Sequence, residues 1–390
     1  MIQQIADRLS STRFVLPNLV GLRAKWPNDT SPLLEFLFHN AKPKTLYLCG
    51  LEDGLLAKVK ANINAKLPVQ DLSLVFLQAQ EYSEAYIAIP DQPVIEDLIA
   101  AFPDIKRFTC DGPLACTPSL SQLFGTPSQL TYLDIELSST WRSGNTPILP
   151  SLQELRLCSK SKAIAAFLEN LGLSTQLQHL SLVDQNCRFG TSSWPDIIPR
   201  FTLKTLELKL HQQVAWPKIK VIFQCKEITK FSIRSHLVQL IGDDEIDAIA
   251  KAWPKLECLN ISTYDISSPS DVIPRITLEG LAHLVPCPNL RQISASVDAR
   301  LSSNKTPVNT DYSSSPLHMD LSNSIFTLTG RESEDAMLYT ISFLTRKWPM
   351  VQSIHVARST RKWKDYLSVV LEARNGVTKM RDQEVNALRR

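Results

Sequence analysis

One short hydrophobic phrase recurs eleven times along the chain. It consists of an aliphatic or aromatic residue, two arbitrary residues, an apolar residue, one arbitrary residue and a third apolar residue. The copies begin at Leu19, Val69, Ile105, Leu130, Leu152, Leu177, Leu203, Ile228, Leu256, Leu290 and Val351. From Ile105 to Leu256 the steps are 25, 22, 25, 26, 25 and 28 residues. So regular a period predicts an array of repeated units, each packing on its neighbours.

Alternation inside the phrase predicts a short strand in each unit. In Leu152–Leu157, Leu155 and Leu157 face one side, while Glu154 and Arg156 face the other. The same pattern predicts strands at Leu180/Leu182, Leu206/Leu208, Phe231/Ile233 and Leu259/Ile261.

Between several strands the apolar period changes to that of a helix. Ile164, Phe167, Leu168 and Leu171 share one helical face, and a longer helix is predicted from about Glu334 to Trp348. Further helical faces are predicted over Pro93–Phe102, after Ser31-Pro32, and at Ile246, Ile249, Ala250 and Trp253, where Asp243 and Asp244 are the capping candidates.

Proline separates the helices from the strands. Six copies of the phrase follow an apolar residue or cysteine and a proline, as in Trp253-Pro254. Because proline cannot continue a helix, each unit is predicted to consist of a helix, then an apolar anchor residue and a proline, and then a strand. Five of the seven tryptophans precede proline (Trp26, Trp194, Trp216, Trp253 and Trp348). Packing of the helix end under the next strand is the favoured interpretation, and aromatic binding anchors are the alternative.

These patterns predict an α/β leucine-rich-repeat solenoid with irregular repeats of about 22 to 36 residues. Parallel strands should line a concave face and helices the convex face. We expect a helical leader or cap over residues 1–13, the array over 14–358 with an insertion loop at 301–316, and a capping helix with a basic tail over 359–390. Weak repeats are expected around Leu46/Leu48 and from Met319 to Leu328. Trp216 also starts the phrase, but the spacing favours Ile228.

Charge and composition are those of an ordinary folded protein. Apolar residues make up 44% and charged residues 21% of the 390, and 42 basic against 39 acidic residues leave a formal charge of +3. This balance predicts neither nucleic acid nor a membrane surface as a partner. No run of about 18 apolar residues and no signal peptide is visible, so a cytoplasmic or nuclear, not secreted, protein is expected. The eight cysteines form no C-x-x-C pair and are interpreted as small buried hydrophobes in a reducing compartment.

Motifs for catalysis or cofactor binding are absent from the sequence. Only 12 residues are glycine, no phosphate-binding glycine loop or H-E-x-x-H occurs, and the seven histidines are scattered singly. We therefore expect no cofactor, no metal and no enzymatic activity. An enzyme with a site in the loops at the strand ends, and a degenerate non-catalytic relative, remain alternatives.

The side chains that alternate away from the core are the candidate partner-binding residues. They are Arg107, Thr109, Tyr132, Asp134, Glu154, Arg156, His179, Ser181, Glu207, Lys209, Lys230, Ser232, Asn260, Gln292, Ser294, Ser353 and His355. Their mixture of charge, hydroxyl and ring suits polar recognition of a protein.

The chain resembles the leucine-rich-repeat portion of F-box-type proteins, particularly the divergent arrays of fungi. The resemblance covers roughly Phe14 to Val356 and rests on the segments Leu149–Leu157, Trp253–Ile261 and Cys287–Ile293. It implies a scaffold that holds a protein substrate for a ubiquitin ligase. In that family an N-terminal F-box docks the ligase adaptor. The F-box is not visible here, so an adaptor is expected as a partner only if an F-box is supplied.

Overall fold

Parallel strands, most of them followed by a helix or an irregular segment, build both units of the chain, Met1–Leu203 (unit 1) and Lys204–Arg390 (unit 2). The structure is a computed structural model. It describes residues 20–25, 43–51, 68–76, 102, 104–114, 129–138, 141, 149–171, 176–185, 193–211, 216–235, 241–262, 274–299, 312–321, 324 and 332–355.

Unit 1 contains seven strands within its described residues, and each pairs in parallel with the next in the chain. They are β1 Gly21–Lys25, β2 Thr45–Leu51, β3 Asp71–Phe76, β4 Arg107–Leu114, β5 Tyr132–Leu137, β6 Glu154–Ser159 and β7 His179–Asp184. The described helices are α1 Ser161–Asn170 and α2 Trp194–Ile197, which continues as the 3-10 turn Ile198–Arg200.

Unit 2 repeats this plan with six described strands, again parallel and in chain order. They are β8 Thr205–Leu210, β9 Lys230–Ser235, β10 Cys258–Ser262, β11 Gln292–Ala295, β12 Leu317–Asp320 and β13 Val351–His355. The helices are α3 Trp216–Ile219 with the 3-10 turn Lys220–Gln224, α4 Asp243–Ala252, α5 Leu278–Leu281 with the turn Ala282–Leu284, and α6 Glu332–Lys347.

In-register pairing stacks the apolar positions of successive strands into continuous rows. Leu133 lies opposite Leu155, which lies opposite Leu180, and all three are at most 1% exposed. The second row joins Ile135, Leu157 and Leu182 in the same way. Because side chains alternate between the two faces of a strand, burying these rows directs the intervening polar residues to the opposite face.

The residues that precede proline anchor the non-strand segments in the core. Trp194, Trp253 and Trp348 are at most 1% exposed, and Trp216 is also buried. Trp253 and Trp348 directly follow helices and pack as predicted, whereas Trp194 and Trp216 are buried at the starts of helices and not at helix ends. Trp26 lies outside the described residues.

A buried carboxylate fastens the helices of unit 1 to the last strand of that unit. Asp184, at the end of β7, accepts hydrogen bonds from Ser161 Oγ at 2.5 Å and from Trp194 Nε1 at 3.0 Å. Since Ser161 begins α1 and Trp194 begins α2, one fully buried side chain holds both helix starts.

Strands are found at both weak copies of the phrase and after Ile228, while residues 322–323 and 325–328 of the second weak copy lie outside the described residues. β2 contains Leu46 and Leu48, and β12 contains Met319. Trp216 begins helix α3, whereas the strand of that repeat is β9, which follows Ile228. The same apolar spacing can start a helix, and the sequence step alone distinguishes the two registers.

The capping prediction for α4 was wrong by one residue. Gly242 is the N-cap, and its backbone N–H donates to Glu245 Oε2 at 3.0 Å. Asp243 and Asp244 lie in the first turn, where their charges favour the positive end of the helix dipole. The expected segments 1–13 and 359–390, and residues 301–311 of the expected loop, lie outside the described residues.

Candidate functional site

Polar residues form two rows across the face of unit 1 that is turned away from the apolar rows. Strand pairing aligns Arg107, Tyr132, Glu154 and His179 in the first row, and Thr109, Asp134, Arg156 and Ser181 in the second. The structure thus brings together all eight candidate residues of unit 1. Neighbouring strands are about 4.8 Å apart, so each side chain lies beside its counterpart on the next strand.

Tyr132 lies beneath two arginine side chains. The guanidinium carbon of Arg107 is 3.9 Å from the centre of the Tyr132 ring, and that of Arg156 is 5.7 Å away. The ring is therefore only 7% exposed although it belongs to the polar face. Attraction between the guanidinium groups and the ring restricts the positions of both arginines.

Both arginines also meet carboxylates. Arg156 directs Nε and Nη2 to Glu154 Oε1, at 3.2 and 3.1 Å. Arg107 Nε is 4.0 Å from Asp71 Oδ1, at the outer limit of an ion pair. Because these side chains are about half exposed, solvent screens the pairs, and their effect is on position more than on stability.

Asp134 is held by a neutral donor in a partly dry position. Tyr132 donates its hydroxyl hydrogen to Asp134 Oδ2 at 3.2 Å. Burial raises the pKa of Asp134, and this exceeds the lowering effects of the Tyr132 hydrogen bond and of Arg156. Burial, together with the charge of Asp134, also raises the pKa of Tyr132. This carboxylate is therefore incompletely compensated.

A third row continues the negative charge next to Asp134. Glu136 lies opposite Cys158 in the pairing of β5 and β6, and Gln185 Nε2 contacts Glu136 Oε1 and Cys158 Sγ, each at 3.1 Å. Burial first and the charge of Glu136 second raise the pKa of Cys158 to about 11. Burial, followed by Asp111 and Glu136, also raises the pKa of the buried Cys110 thiol.

In unit 2 the first polar row contains Lys230, Cys258, Gln292, His318 and Ser353. The second row contains Glu207, Ser232, Asn260, Ser294, Asp320 and His355.

Lys209 lies outside both of these rows, because it pairs with Arg234 in a further row. The true counterpart of Lys230 on β8 is Thr205. The candidate residues of unit 2 therefore share one face, and Lys209 lies on it beside Arg234, beyond the two rows.

Two histidines at the end of unit 2 contact polar residues on the neighbouring strand. His318 Nδ1 is 2.8 Å from Ser353 Oγ, and His355 Nδ1 is 3.4 Å from Asp320 Oδ1. His318 and Asp320 were missed by sequence reasoning because β12 contains only a weak copy of the phrase. The alternation of Leu317 and Met319 around His318 is the signal that could have found them.

Sequence reasoning also missed polar residues on the first strands of unit 1. Asp71 and Ser73 lie in the same rows as Arg107 and Thr109, and Thr45 Oγ1 donates to Asp71 Oδ2 at 3.4 Å. The copy of the phrase at Val69 gave the register that would have placed Asp71 and Ser73 in the set. Glu136 could have been found by extending the alternation on β5 two residues beyond Asp134.

No family model matches the chain, and no curated protein matches it. Within the described ranges, no group of three or more His, Cys, Asp or Glu side chains is arranged to hold a metal ion. Among the helices described, none is long and apolar enough to cross a membrane.

Proposed function

We propose that this chain is a leucine-rich-repeat solenoid that binds a protein partner on a concave strand face, in the manner of a substrate receptor. One observation carries the proposal. In each unit, side chains separated by roughly a repeat length in sequence line up in polar rows on one face of a parallel sheet. Such an arrangement spreads recognition over many strands and leaves the other face to the core.

The repeated-unit part of the proposal is supported by a backbone hydrogen bond that recurs between successive strands in both units. In unit 1, Gln153 N donates to Thr131 O at 2.9 Å, and Gln178 N donates to Gln153 O at 2.9 Å. In unit 2, Glu257 N donates to Thr229 O at 2.7 Å, and Arg291 N donates to Glu257 O at 2.8 Å. Equivalent bonds at equivalent positions are what stacking of one structural unit on the next produces.

A macromolecular partner is supported by the extent of the polar rows. From β2 to β7 the first row crosses six strands, which is roughly 24 Å at the usual strand spacing. A row of this length suits a protein surface or an extended segment better than a small ligand, which prefers a concave, largely apolar pocket.

Site-specific crosslinking tests this face directly. A photoreactive amino acid at His179 or Gln292, both exposed on polar rows, should yield adducts with a partner in lysate of the source organism. The same amino acid at Lys162 of α1 or Lys220 after α3, both exposed, is the matched control. Adducts from the helix positions but not from the strand positions would refute the strand face as the binding surface.

The resemblance to F-box-type repeat proteins extends the proposal to capture of a substrate for ubiquitin ligation. The crosslinked partner should then become ubiquitinated in the lysate, and it should accumulate when the chain is depleted. Copurification of ligase subunits with the chain would support this extension. A partner whose abundance and ubiquitination are independent of the chain would contradict it without affecting the binding face.

A further inference from the structure

We infer that the polar face of unit 1 over β4, β5 and β6 binds a positively charged, extended segment of the partner protein. This inference rests on the proposed function and adds the chemistry of the partner. It is carried by the charges on the face, by the contacts that already occupy its arginines, and by the placement of its remaining carboxylates.

Carboxylates outnumber cations on this face. From β3 to β6 it carries Asp71, Asp111, Asp134, Glu136 and Glu154, against the two guanidinium groups of Arg107 and Arg156. The net charge of the whole chain is +3, so the acidic face is a local feature. Long-range attraction would guide a cationic segment toward it.

The two arginines contact residues of the first polar row. Arg107 lies over the Tyr132 ring and approaches Asp71, while Arg156 directs two nitrogens to Glu154. Arg107 belongs to the first row, and Arg156 lies opposite Asp134 in the second row but directs its nitrogens to Glu154 of the first row. The carboxylates toward the ends of the strands, Asp111, Asp134 and Glu136, are left for a partner.

Asp134 and Glu136 receive their hydrogen bonds from neutral groups. The Tyr132 hydroxyl donates to Asp134 at 3.2 Å, and the Gln185 amide donates to Glu136 at 3.1 Å. A neutral donor orients a carboxylate without cancelling its charge. Arg156 opposite Asp134 offsets the charge of that carboxylate only in part, since burial still raises its pKa. Two oriented carboxylates that hydrogen-bond to neutral donors are well placed to accept hydrogen bonds from an ammonium or guanidinium group.

The titration behaviour of nearby groups is consistent with a negative field at this position. After burial, which is the largest cause for both thiols, the charges of Asp111, Glu136 and Asp134 raise the pKa of Cys110, and that of Glu136 raises the pKa of Cys158. Burial is the main cause of the raised pKa of Asp134, and the charges of Asp111 and Glu154 raise it further, against the lowering effects of Tyr132 and Arg156. An incoming cation would lower the free energy of these carboxylates, which is the physical basis for the expected affinity.

The corresponding face of unit 2 shows that acidity is not a general property of the polar rows. There the three cations Lys209, Lys230 and Arg234 outnumber the two carboxylates Glu207 and Asp320. A cationic segment should therefore prefer unit 1.

A peptide of alternating lysine and serine, twelve residues long and fluorescently labelled, is the probe for the test. A second peptide replaces each lysine with glutamate. Binding to the full chain would be measured by fluorescence anisotropy at low and at moderate salt. The lysine peptide should bind, more weakly as salt rises, and the glutamate peptide should not.

Neutralising the carboxylates should remove this binding. The double variant Asp134→Asn/Glu136→Gln keeps size and shape and should bind the lysine peptide about tenfold more weakly. The control Glu169→Gln/Asp196→Asn removes the same charge from exposed helix positions of unit 1 and should bind within about twofold of the parent chain. If the double variant does not fold, the single exposed change Asp111→Asn should weaken binding about threefold.

Equal weakening by the face and control variants would overturn the inference, because it would show attraction to overall charge alone. Binding of the glutamate peptide that is lost in Arg107→Gln/Arg156→Gln would also overturn it, while retaining the face as a docking surface. Absence of binding by both peptides, with crosslinks still forming at His179, would overturn the cationic segment and keep the proposed function. If neither peptide bound and no crosslinks formed at His179, the proposed function would be refuted as well.

Discussion

At the residue scale, the environment of Cys158 opposes ionisation of its thiol. The side chain is half buried, Glu136 lies opposite on β5, and the pKa is raised to about 11. Burial disfavours the thiolate, and a neighbouring carboxylate repels it, so both effects act in the same direction. A thiol of this kind is a packing residue and a poor nucleophile at neutral pH.

Alkylation of Cys158 should therefore be slow and strongly dependent on pH. At pH 8 the thiolate fraction is on the order of one in a thousand, and it should grow about tenfold for each pH unit up to the pKa. Iodoacetamide labelling of the folded chain between pH 7 and 10, with mass spectrometry of the Cys158 peptide, measures this dependence. Glu136→Gln removes a repelling charge, so the pKa should fall and labelling at pH 8 should accelerate. Glu169→Gln, on an exposed helix position, is the control and should leave the rate unchanged. Labelling as fast as that of a free thiol would contradict the prediction.

Residue alternation predicts which face a side chain occupies, but it does not predict what the side chain touches. The sequence placed Arg107, Tyr132 and Arg156 on one face correctly. The stacking of both guanidinium groups on Tyr132 depends on the register between strands that are more than 20 residues apart, and the phrase alone leaves the side-chain conformations open. The contact of Trp194 with Asp184 was missed for a related reason, since Asp184 lies beyond the last apolar position of its phrase.

At the element scale, a small hydrogen-bond network joins the start of α4 to the start of α5. Asp243 accepts from Thr277 N at 2.8 Å and from Thr277 Oγ1 at 2.7 Å. The Thr277 hydroxyl oxygen in turn accepts from Gly280 N at 3.0 Å and so caps α5. Gly280 approaches the Asp243 carboxylate so closely that a Cβ atom there would overlap with it.

Gly280→Ala should destabilise unit 2 by about 1 to 3 kcal/mol, because the added methyl group displaces Asp243 and disrupts the cap. Urea denaturation followed by tryptophan fluorescence measures the loss, with Ala282→Ser on the following turn as a comparison of similar size. Adding Asp243→Ala removes the overlapping carboxylate. The double variant should therefore lose less stability than the sum of the two single variants. If the two losses of stability were strictly additive, the overlap with Asp243 would not be the cause of the loss in Gly280→Ala, and the prediction would be wrong.

Element length decides which helices a sequence reveals. α4 and α6 run for 10 and 16 residues, long enough for the apolar period of a helix to be visible, and both were predicted. α2, α3 and α5 have four residues each, little more than one turn, and no period can be recognised over that length. The Trp-Pro pairs that open α2 and α3 were recognised as core anchors, although the helical turns that contain them were not predicted.

At the scale of the whole molecule, the order and direction of the strands follow from the spacing of the phrase. A step of about 25 residues leaves room for a strand and a return segment, so that within each unit successive strands run parallel and pair in chain order. β2 and β12 were predicted only as weak copies within the two long steps, because their phrases lack the leading apolar residue. The division into units at Leu203 and Lys204 has no counterpart in the sequence, where the phrase beginning at Leu203 is as regular as its neighbours.

Because each strand packs on its neighbours, the effect of a destabilising substitution in unit 1 should be largest in the adjacent strands. Leu155 is fully buried on β6, and β6 pairs with β5 and β7. Leu155→Ala should cost about 2 to 5 kcal/mol through lost burial and the cavity left behind. In an array whose units couple only to adjacent units, this loss should open β5, β6 and β7 first and leave β2 and β3 protected.

Hydrogen exchange followed by mass spectrometry of peptides shows whether the loss of protection is local or extends over the whole unit. The change Gln153→Ala at an exposed position is the control and should not alter the exchange of any peptide. Faster exchange confined to the peptides of β5 to β7 would agree with a solenoid. If all strands of unit 1 lost protection equally, the unit would be one cooperative globule instead. The partner-binding rows would then be a feature of a single core and not of stacked repeats, so this measurement decides between the two descriptions of the fold.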